Sequence, residues 1–276
     1  MCRISLMSVV LNTGILNFEH GGLRVKLAIS GKGGVGKTTL AAALTKFFSS
    51  KGYRVFAVDA DPDTSLGLVL GLPEEGLGSL KPVVEMREVI AELTGGSGAF
   101  FSLNPDVDRL LEDYTLTYGN ISFLKMGGVK QGGSTCYCRE NAVLHALVNS
   151  LLLREGEIVV LDMSAGIEHL TRGTARGVDV ILVVVEPSVV STRTARVVEK
   201  LARELGVPLV KFVANKVRDG RQEQFLLDHF STEELIGVLP FQEEILDLSL
   251  GREAAEPRAF REAVARIGDY LLACNR

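Results

Sequence analysis

The chain has 276 residues, of which 46% are hydrophobic and 23% charged, and its formal net charge is −4. This composition can fill a large core and disfavours intrinsic disorder. The acidic balance disfavours a general nucleic-acid-binding protein, and the four irregularly spaced cysteines do not indicate a secreted disulfide scaffold. No apolar run is long enough to span a membrane. We expect a cytoplasmic protein that binds neither nucleic acid nor membrane.

The first 24 residues have a different character from the rest. They include the mildly apolar stretch SLMSVVLNTGIL, which Asn12, Thr13 and Gly14 interrupt. No small-residue cleavage site follows, so a signal peptide is disfavoured. We interpret residues 1–24 as an N-terminal extension, either disordered or due to a misassigned start. Residues 25–276 are predicted to form one domain.

Short runs rich in Val, Ile and Leu predict strands that are buried on both faces. They are VKLAIS (25–30), YRVFAVDA (53–60), EIVVLDM (157–163), DVILVVVEP (179–187), PLVKFVAN (208–215) and LIGVLP (235–240). Helical patterns lie between them, at residues 37–51, 139–154, 188–205, 219–229 and 256–273. The Gly- and Pro-rich segment 71–120 is interpreted as an insertion with mobile elements. The alternation predicts an α/β fold with a mostly parallel central sheet and helices on both faces.

The first predicted strand runs directly into GKGGVGKTT (31–39), which precedes a helix. This stretch fits the P-loop pattern G-x-x-x-x-G-K-S/T, and its strand–loop–helix context favours a phosphate site over a turn that binds nothing. Lys37 would reach the β and γ phosphates of a nucleotide, and the Thr38 hydroxyl would hold Mg²⁺. Backbone N–H groups and the helix N-terminus would cradle the phosphates. The loop residues predicted to bind nucleotide are Gly33, Gly34, Val35, Gly36, Lys37, Thr38 and Thr39.

Carboxylates follow two other predicted strands, at the edge where such sheets bind ligands. Asp59 and Asp61 lie in VDADPD (58–63), and Asp162 lies in LDMSAG (161–166). Asp162 has the position of a Walker B carboxylate, beyond the direct ligands of the metal. We expect both strands to lie beside the phosphate-loop strand.

The stretch VANKVRD (213–219) is close to the guanine-binding motif N-K-x-D. Its fourth position is Arg218, and Asp219 comes one residue late. A GTPase is therefore disfavoured, and ATP is the predicted nucleotide.

The early lysine of the loop, Lys32 in KGGVGKTT, resembles that of the deviant Walker A family. This family includes cell-division and partition ATPases, the nitrogenase iron protein and metal-insertion ATPases. The resemblance implies that Lys32 reaches across a homodimer to the partner's nucleotide. It also implies that Asp61 orients the attacking water and that Asp59 supports Mg²⁺ and the first switch. Asn215 and the backbone near Pro240 are the implied adenine contacts.

Two cysteines, Cys136 and Cys138, are separated by one residue. A disulfide between them is disfavoured, whereas thiolates suit Zn²⁺, Cu(I), nickel or an iron–sulfur cluster. Since a closed tetrahedral site needs four ligands, two copies across a dimer axis would supply four sulfurs. A pair that binds nothing is the alternative.

Further stretches resemble the CooC-type nickel-insertion ATPases from about residue 25 to the C-terminus. They are KGGVGKTT, FFSLNPDVDRL (100–110), CYC (136–138), LDMSAGIEHLTRGTARGVDVILVVVEPS (161–188) and NKV (215–217). The resemblance implies a dimeric ATPase that binds Ni²⁺ or Zn²⁺ at the cysteine pair. Its implied partner is apo carbon monoxide dehydrogenase or acetyl-CoA synthase. Ser164, in the second switch, departs from the family's usual D-M-E-A-G.

Two other functions share the nucleotide residues. A partition or septum-placement ATPase would be expected to carry a basic amphipathic C-terminal helix, but Glu262 and Asp269 weaken that interpretation of the tail. An iron–sulfur carrier on the same fold would differ by a brown chromophore and labile sulfide.

Overall fold

A computed structural model of the chain describes residues 24–61, 64–80, 82–83, 114–126, 156–163, 178–249 and 255–274. Four features of the sequence analysis lie outside these residues: the interpretation of residues 1–23, the helix at 139–154, the cysteine pair and the second switch at Ser164. Within the described part of the chain, no helix combines the length and apolar character needed to span a lipid bilayer.

The described strands form one eight-stranded sheet in the order β3-β4-β2-β5-β1-β6-β7-β8. Their bounds are β1 Arg24–Gly31, β2 Arg54–Ala60, β3 Leu116–Tyr118, β4 Ile121–Lys125, β5 Glu157–Met163, β6 Val180–Val185, β7 Leu209–Val217 and β8 Leu235–Pro240. All neighbouring pairs are parallel except β3 and β4. The predicted α/β class and all six predicted strands are confirmed.

The helices of the described residues fill the intervals between the strands. They are α1 Lys37–Ser50, α2 Leu66–Leu70, α3 Glu74–Ser79, α4 Val189–Glu204, α5 Gly220–Leu227, α6 Glu243–Ser249 and α7 Arg258–Cys274. Four of them, α1, α4, α5 and α7, were predicted, whereas the short helices α2, α3 and α6 were not predicted individually.

The central strands are buried on both faces because apolar side chains alternate between two separate cores. In β1, Leu27 and Ile29 belong to the core that also includes residues of α1, α2 and α7, whereas Ala28 belongs to the opposite core with residues of α4 and α5. Helices therefore cover both faces of the sheet, and polar side chains at the strand ends can form a site at its edge.

The expectation that both carboxylate strands border β1 is wrong for one of them. The chain leaves β1 through α1 and enters β2, which is not adjacent to β1. The later strand β5 lies between the two. Local sequence patterns do not record such a crossover. Asp162 of β5 is thus the register partner of both Ile29 of β1 and Asp59 of β2.

The sequence patterns also missed the hairpin of β3 and β4. Part of it falls in the segment interpreted as a mobile insertion. The side chain of Asn120 at its turn donates hydrogen bonds to the carbonyls of Ser49 (2.9 Å) and Tyr53 (2.7 Å). These bonds attach the turn to the C-terminal end of α1. Strands of three and five residues are too short to give a clear periodic signal.

Candidate functional site

The loop between β1 and α1 turns tightly, and its glycines make the turn possible. Gly34 and Gly36 have positive φ angles of 79° and 95°, which side chains with a Cβ adopt at a cost. A Cβ on Gly36 would overlap the side-chain amide of Asn215, and one on Gly31 would lie 2.5 Å from the carbonyl oxygen of Val184. Since α1 starts at a glycine N-cap, no side chain of that residue covers its first N–H groups. Such a helix end is suited to an anion.

The two lysines of the loop have different environments. Lys37 is 7% exposed, and its Nζ donates a hydrogen bond to the carbonyl of Lys32 (3.3 Å). Burial lowers the pKa of Lys37, while the charges of Asp162 and Asp61 oppose that shift. Lys32 itself is exposed. The buried lysine is thus positioned over its own loop, and the exposed one is accessible to another molecule.

Asp59 holds the chain segment that follows β2. It is fully buried, and its two oxygens accept the N–H groups of Leu66 (2.9 Å) and Asp61 (3.3 Å). Burial raises the pKa of Asp59 to about 6, although these backbone hydrogen bonds act in the opposite direction. Because Leu66 is the first residue of α2, Asp59 fixes both the exit of β2 and the start of this helix.

Asp162 is the second fully buried carboxylate. Within the described residues, neither of its oxygens has a hydrogen-bond partner of regular geometry. Burial raises the pKa of Asp162 to about 7. The negative charges of Asp59 and of the partly buried Asp61 raise this pKa further. The Thr38 hydroxyl and the charge of Lys37 act in the opposite direction. An unsatisfied buried carboxylate next to a threonine hydroxyl fits a hard divalent cation, which takes oxygen ligands. The residues present therefore fit Mg²⁺.

The end of β7 approaches the loop from its other side. Asn215 is 7% exposed; its Nδ2 donates to the carbonyl of Val35 (2.7 Å), and its Oδ1 accepts the N–H of Lys216. A cavity of about 230 Å³ opens beside these residues, and the predicted adenine contacts Asn215 and Pro240 both line it. With one amide N–H already bound to the loop, Asn215 retains one N–H for a ligand.

Sequence reasoning missed three side chains around this cavity. Lys216 donates a hydrogen bond from its Nζ to the carbonyl of Gly34 (2.6 Å). The guanidinium of Arg218 stacks 3.6 Å from the ring centroid of Phe241, which lines the cavity. The Asn-Lys dipeptide is a usable signal for Lys216, although it also begins the guanine motif N-K-x-D.

The predicted metal ligands Cys136 and Cys138 lie outside the described residues. Among the residues that are described, no group of three or more His, Cys, Asp or Glu side chains could hold a metal ion. The described site thus consists of the phosphate loop, the three aspartates and the end of β7.

The contrast between Gly36 and Gly33 gives a first prediction. Gly36→Ala should lower the free energy of unfolding by roughly 1–3 kcal/mol, since it adds both a strained φ and an overlap with Asn215. Gly33→Ala is the matched control, because its new Cβ would meet nothing within 4 Å, and should change stability by about 0.5 kcal/mol or less. Urea unfolding of the ligand-free protein measures both, and equal effects would contradict the geometry.

The raised pKa of Asp162 gives a second prediction. The folded protein keeps this proton up to pH of about 7, whereas the unfolded chain releases it near pH 4. The group's contribution to stability is therefore present at low pH and is lost as the pH rises toward 7. Asp162→Asn should raise the free energy of unfolding by on the order of 1–3 kcal/mol at pH 8 and by much less at pH 5.

Urea unfolding with EDTA at both pH values measures the effect of Asp162→Asn. Asp228→Asn is the control, because Asp228 is exposed on α5's C-terminal side and accepts a hydrogen bond from Gln224. A stability change that is the same at pH 5 and pH 8 would rule out the buried-charge explanation.

Comparisons of the sequence with known proteins also indicate a nucleotide-binding domain. The family model of the CobQ/CobB/MinD/ParA nucleotide binding domain matches residues 26–253. The chain is 41% identical over 224 residues to the carbon monoxide dehydrogenase accessory protein CooC of Rhodospirillum rubrum, covering 80% of this chain and 85% of that protein. It is 36% identical to an uncharacterized ATP-binding protein of Methanocaldococcus jannaschii, covering 90% and 98% of the two chains.

A solved structure is similar in fold. The septum site-determining protein MinD of Pyrococcus horikoshii, complexed with Mg-ADP, superposes with a TM-score of 0.63 at 20% identity, covering 90% of this chain and 97% of the other. The chain therefore belongs to the CobQ/CobB/MinD/ParA family of nucleotide-binding domains, the deviant Walker A ATPases, and within it is similar to CooC.

Proposed function

We propose that this protein is a dimeric, ATP-hydrolysing metallochaperone that assists nickel insertion into carbon monoxide dehydrogenase or acetyl-CoA synthase. The observation that carries the proposal is the 41% identity to a carbon monoxide dehydrogenase accessory protein over most of both chains. The pair Cys136 and Cys138 supports it, because thiolates are soft ligands suited to nickel or zinc.

ATP hydrolysis would take place at the carboxyl edge of the sheet. The loop N–H groups and Lys37 would bind the phosphates, and Asp61 would orient the water whose oxygen bonds to the γ-phosphorus as the bond to ADP breaks. Thr38 would hold Mg²⁺, with Asp162 beyond its direct ligands; the ion supplies charge that stabilises the phosphates. Asp59 supports this arrangement by fixing the segment that carries Asp61.

Dimerisation would join this chemistry to the metal. Lys32 is exposed on the loop, and in a dimer it would reach the nucleotide of the second copy. Two copies would also bring four thiolates together, which completes a tetrahedral site. ATP can drive metal release only if the metal binds the closed and open dimers with different affinity.

A partition or septum-placement ATPase is the main rival, since its MinD relatives share the fold. The described C-terminal helix bears on this choice. The apolar face of α7, which includes Phe260, Ile267 and Leu271, is buried against α1 and β8. Its acidic residues pair with basic ones, Asp269 with Lys51 and Glu262 with Arg258. This face stabilises the core, so membrane targeting through it is disfavoured.

Metal stoichiometry tests the proposal. The protein purified reduced and anaerobically should bind one Ni²⁺ or Zn²⁺ per two chains, because each chain offers two of the four thiolates. Cys136→Ala and Cys138→Ala should each abolish this binding. Metal analysis together with the oligomeric mass measures the ratio, and Cys274→Ala is the matched control because that exposed thiol is not part of the pair.

Other outcomes would redirect the assignment. Metal binding that survives both substitutions, or none at all, would remove the chaperone function and favour the partition-type ATPase. A brown protein with labile sulfide would indicate the iron–sulfur carrier.

The hydrolytic roles give a separate prediction. Asp61→Asn should lower kcat by about 100-fold or more, because positioning of the attacking water contributes about that much, and it should leave MgATP binding in place. Lys37→Ala should weaken MgATP binding itself. Steady-state kinetics and calorimetry distinguish the two, with Asp228→Asn as the control. Hydrolysis by Asp61→Asn at the normal rate would exclude Asp61 from this role.

A further inference from the structure

Two neighbouring side chains at the end of β7 bind two neighbouring carbonyls of the phosphate loop. Asn215 binds the carbonyl of Val35 (2.7 Å), and Lys216 binds that of Gly34 (2.6 Å). We propose that Lys216 is a positioning residue for the nucleotide phosphates, acting through the loop backbone. The inference rests on nucleotide binding at this loop and is independent of nickel delivery.

The backbone at Lys216 is unusual in a way that serves this contact. Among the residues that the structure describes, Lys216 is the one non-glycine residue with a positive φ, at 58°. Neighbouring side chains in a regular strand point to opposite faces. The left-handed turn, together with an irregular register between Ala214 and Val217, brings both Asn215 and Lys216 to the same loop. A costly conformation at a site of this kind indicates a functional constraint.

Peptide geometry links these two hydrogen bonds to phosphate binding. The described chain has no cis peptide bonds, and in a planar trans peptide the C=O and the following N–H point in opposite directions. Carbonyls of Gly34 and Val35 that are held toward β7 turn the N–H groups of Val35 and Gly36 away from β7. A P-loop binds phosphate oxygens through backbone N–H groups of this kind. Lys216 therefore sets the direction of a backbone N–H group that donates to a phosphate, although its own side chain contacts no phosphate.

An ion pair holds the Lys216 ammonium in place. Its Nζ lies 2.6 Å from Oε1 of Glu186, directly after β6. The N–H of Glu186 in turn donates to the hydroxyl of Ser191 in the first turn of α4 (3.0 Å). The pair is partly exposed, with 43% and 29% of the two side chains accessible, so the attraction itself is screened. Its contribution is to orient Lys216 toward the carbonyl of Gly34.

The test replaces Lys216 by a residue that tolerates the backbone but lacks the ammonium. Asparagine accepts the left-handed conformation better than most residues, so Lys216→Asn should fold. Its dissociation constant for MgATP should rise about tenfold, the loss expected for one charge-assisted hydrogen bond. Lys216→Arg keeps a cation and should restore affinity to within about threefold. Lys211→Asn, on the same strand with its Nζ bound to the carbonyl of Glu233, is the matched control.

Magnesium tripolyphosphate distinguishes loop positioning from contact with the base, because it has phosphates and no adenine. Calorimetric titration of the wild-type protein and of Lys216→Asn should show affinity for tripolyphosphate falling in parallel with that for MgATP. Weakening for MgATP alone would overturn the proposal in favour of a base contact. MgATP affinity within about twofold of wild type would overturn it as well.

Glu186→Gln provides a second variant that leaves the backbone of Lys216 unchanged. It should weaken MgATP binding by about threefold, since it removes the charge that orients Lys216. If Lys216→Asn does not fold, an unchanged affinity in Glu186→Gln overturns the proposal. Binding is measured without turnover, so these results are independent of the hydrolysis and metal experiments. Failure of the wild-type protein to bind MgATP would instead contradict the proposed function itself.

Discussion

Asp162 is a buried carboxylate whose oxygens have no hydrogen-bond partner of regular geometry among the described residues, and the arrangement of the site depends on this constraint. An ionised group in such surroundings is costly unless a counter-charge lies close, and its pKa is accordingly raised to about 7. The sheet order supplies the neighbours. Because β5 lies between β1 and β2, Asp162 meets Lys37 and Thr38 from one side and Asp59 from the other. A divalent cation at Thr38 would offset the remaining cost of ionising Asp162. Binding of the cation would therefore stabilise this buried charge.

The phosphate loop is held from two directions before any ligand arrives. On the α1 side, Lys37 binds the carbonyl of Lys32; on the β7 side, Lys216 and Asn215 bind those of Gly34 and Val35. Three carbonyl oxygens of the loop are thus bound by side chains. The corresponding N–H groups are left in fixed directions, so little ordering remains to be done on binding. Such preorganisation favours affinity and electrostatic stabilisation of phosphates.

The parts of this structure that could be predicted from the sequence are those with a local signal. The six apolar strands and the glycine–lysine pattern of the loop are local features, and their bounds agreed closely with the structure. Strand order is a non-local property, so the local pattern of β2 does not reveal that β5 separates it from β1. The φ angle of Lys216 has no signal either, because lysine seldom adopts it. The hydrogen bond of Asn215 to the loop lies beside this irregular turn, which the apolar pattern of β7 does not predict.

The nucleotide site by itself does not distinguish a metallochaperone from a partition ATPase, because both would use the same loop, carboxylates and exposed Lys32. The difference lies in what else the closure of a dimer changes. A nucleotide alters metal affinity only by as much as metal binding differs between the open and closed states. Under the proposed function, thiolates contributed by both copies would meet this condition, since one subunit would offer two sulfurs and a closed dimer four. If one subunit contained the complete metal site, closure of the dimer would not change its metal affinity. Sharing the metal across the interface is therefore the step that would convert ATP hydrolysis into metal delivery.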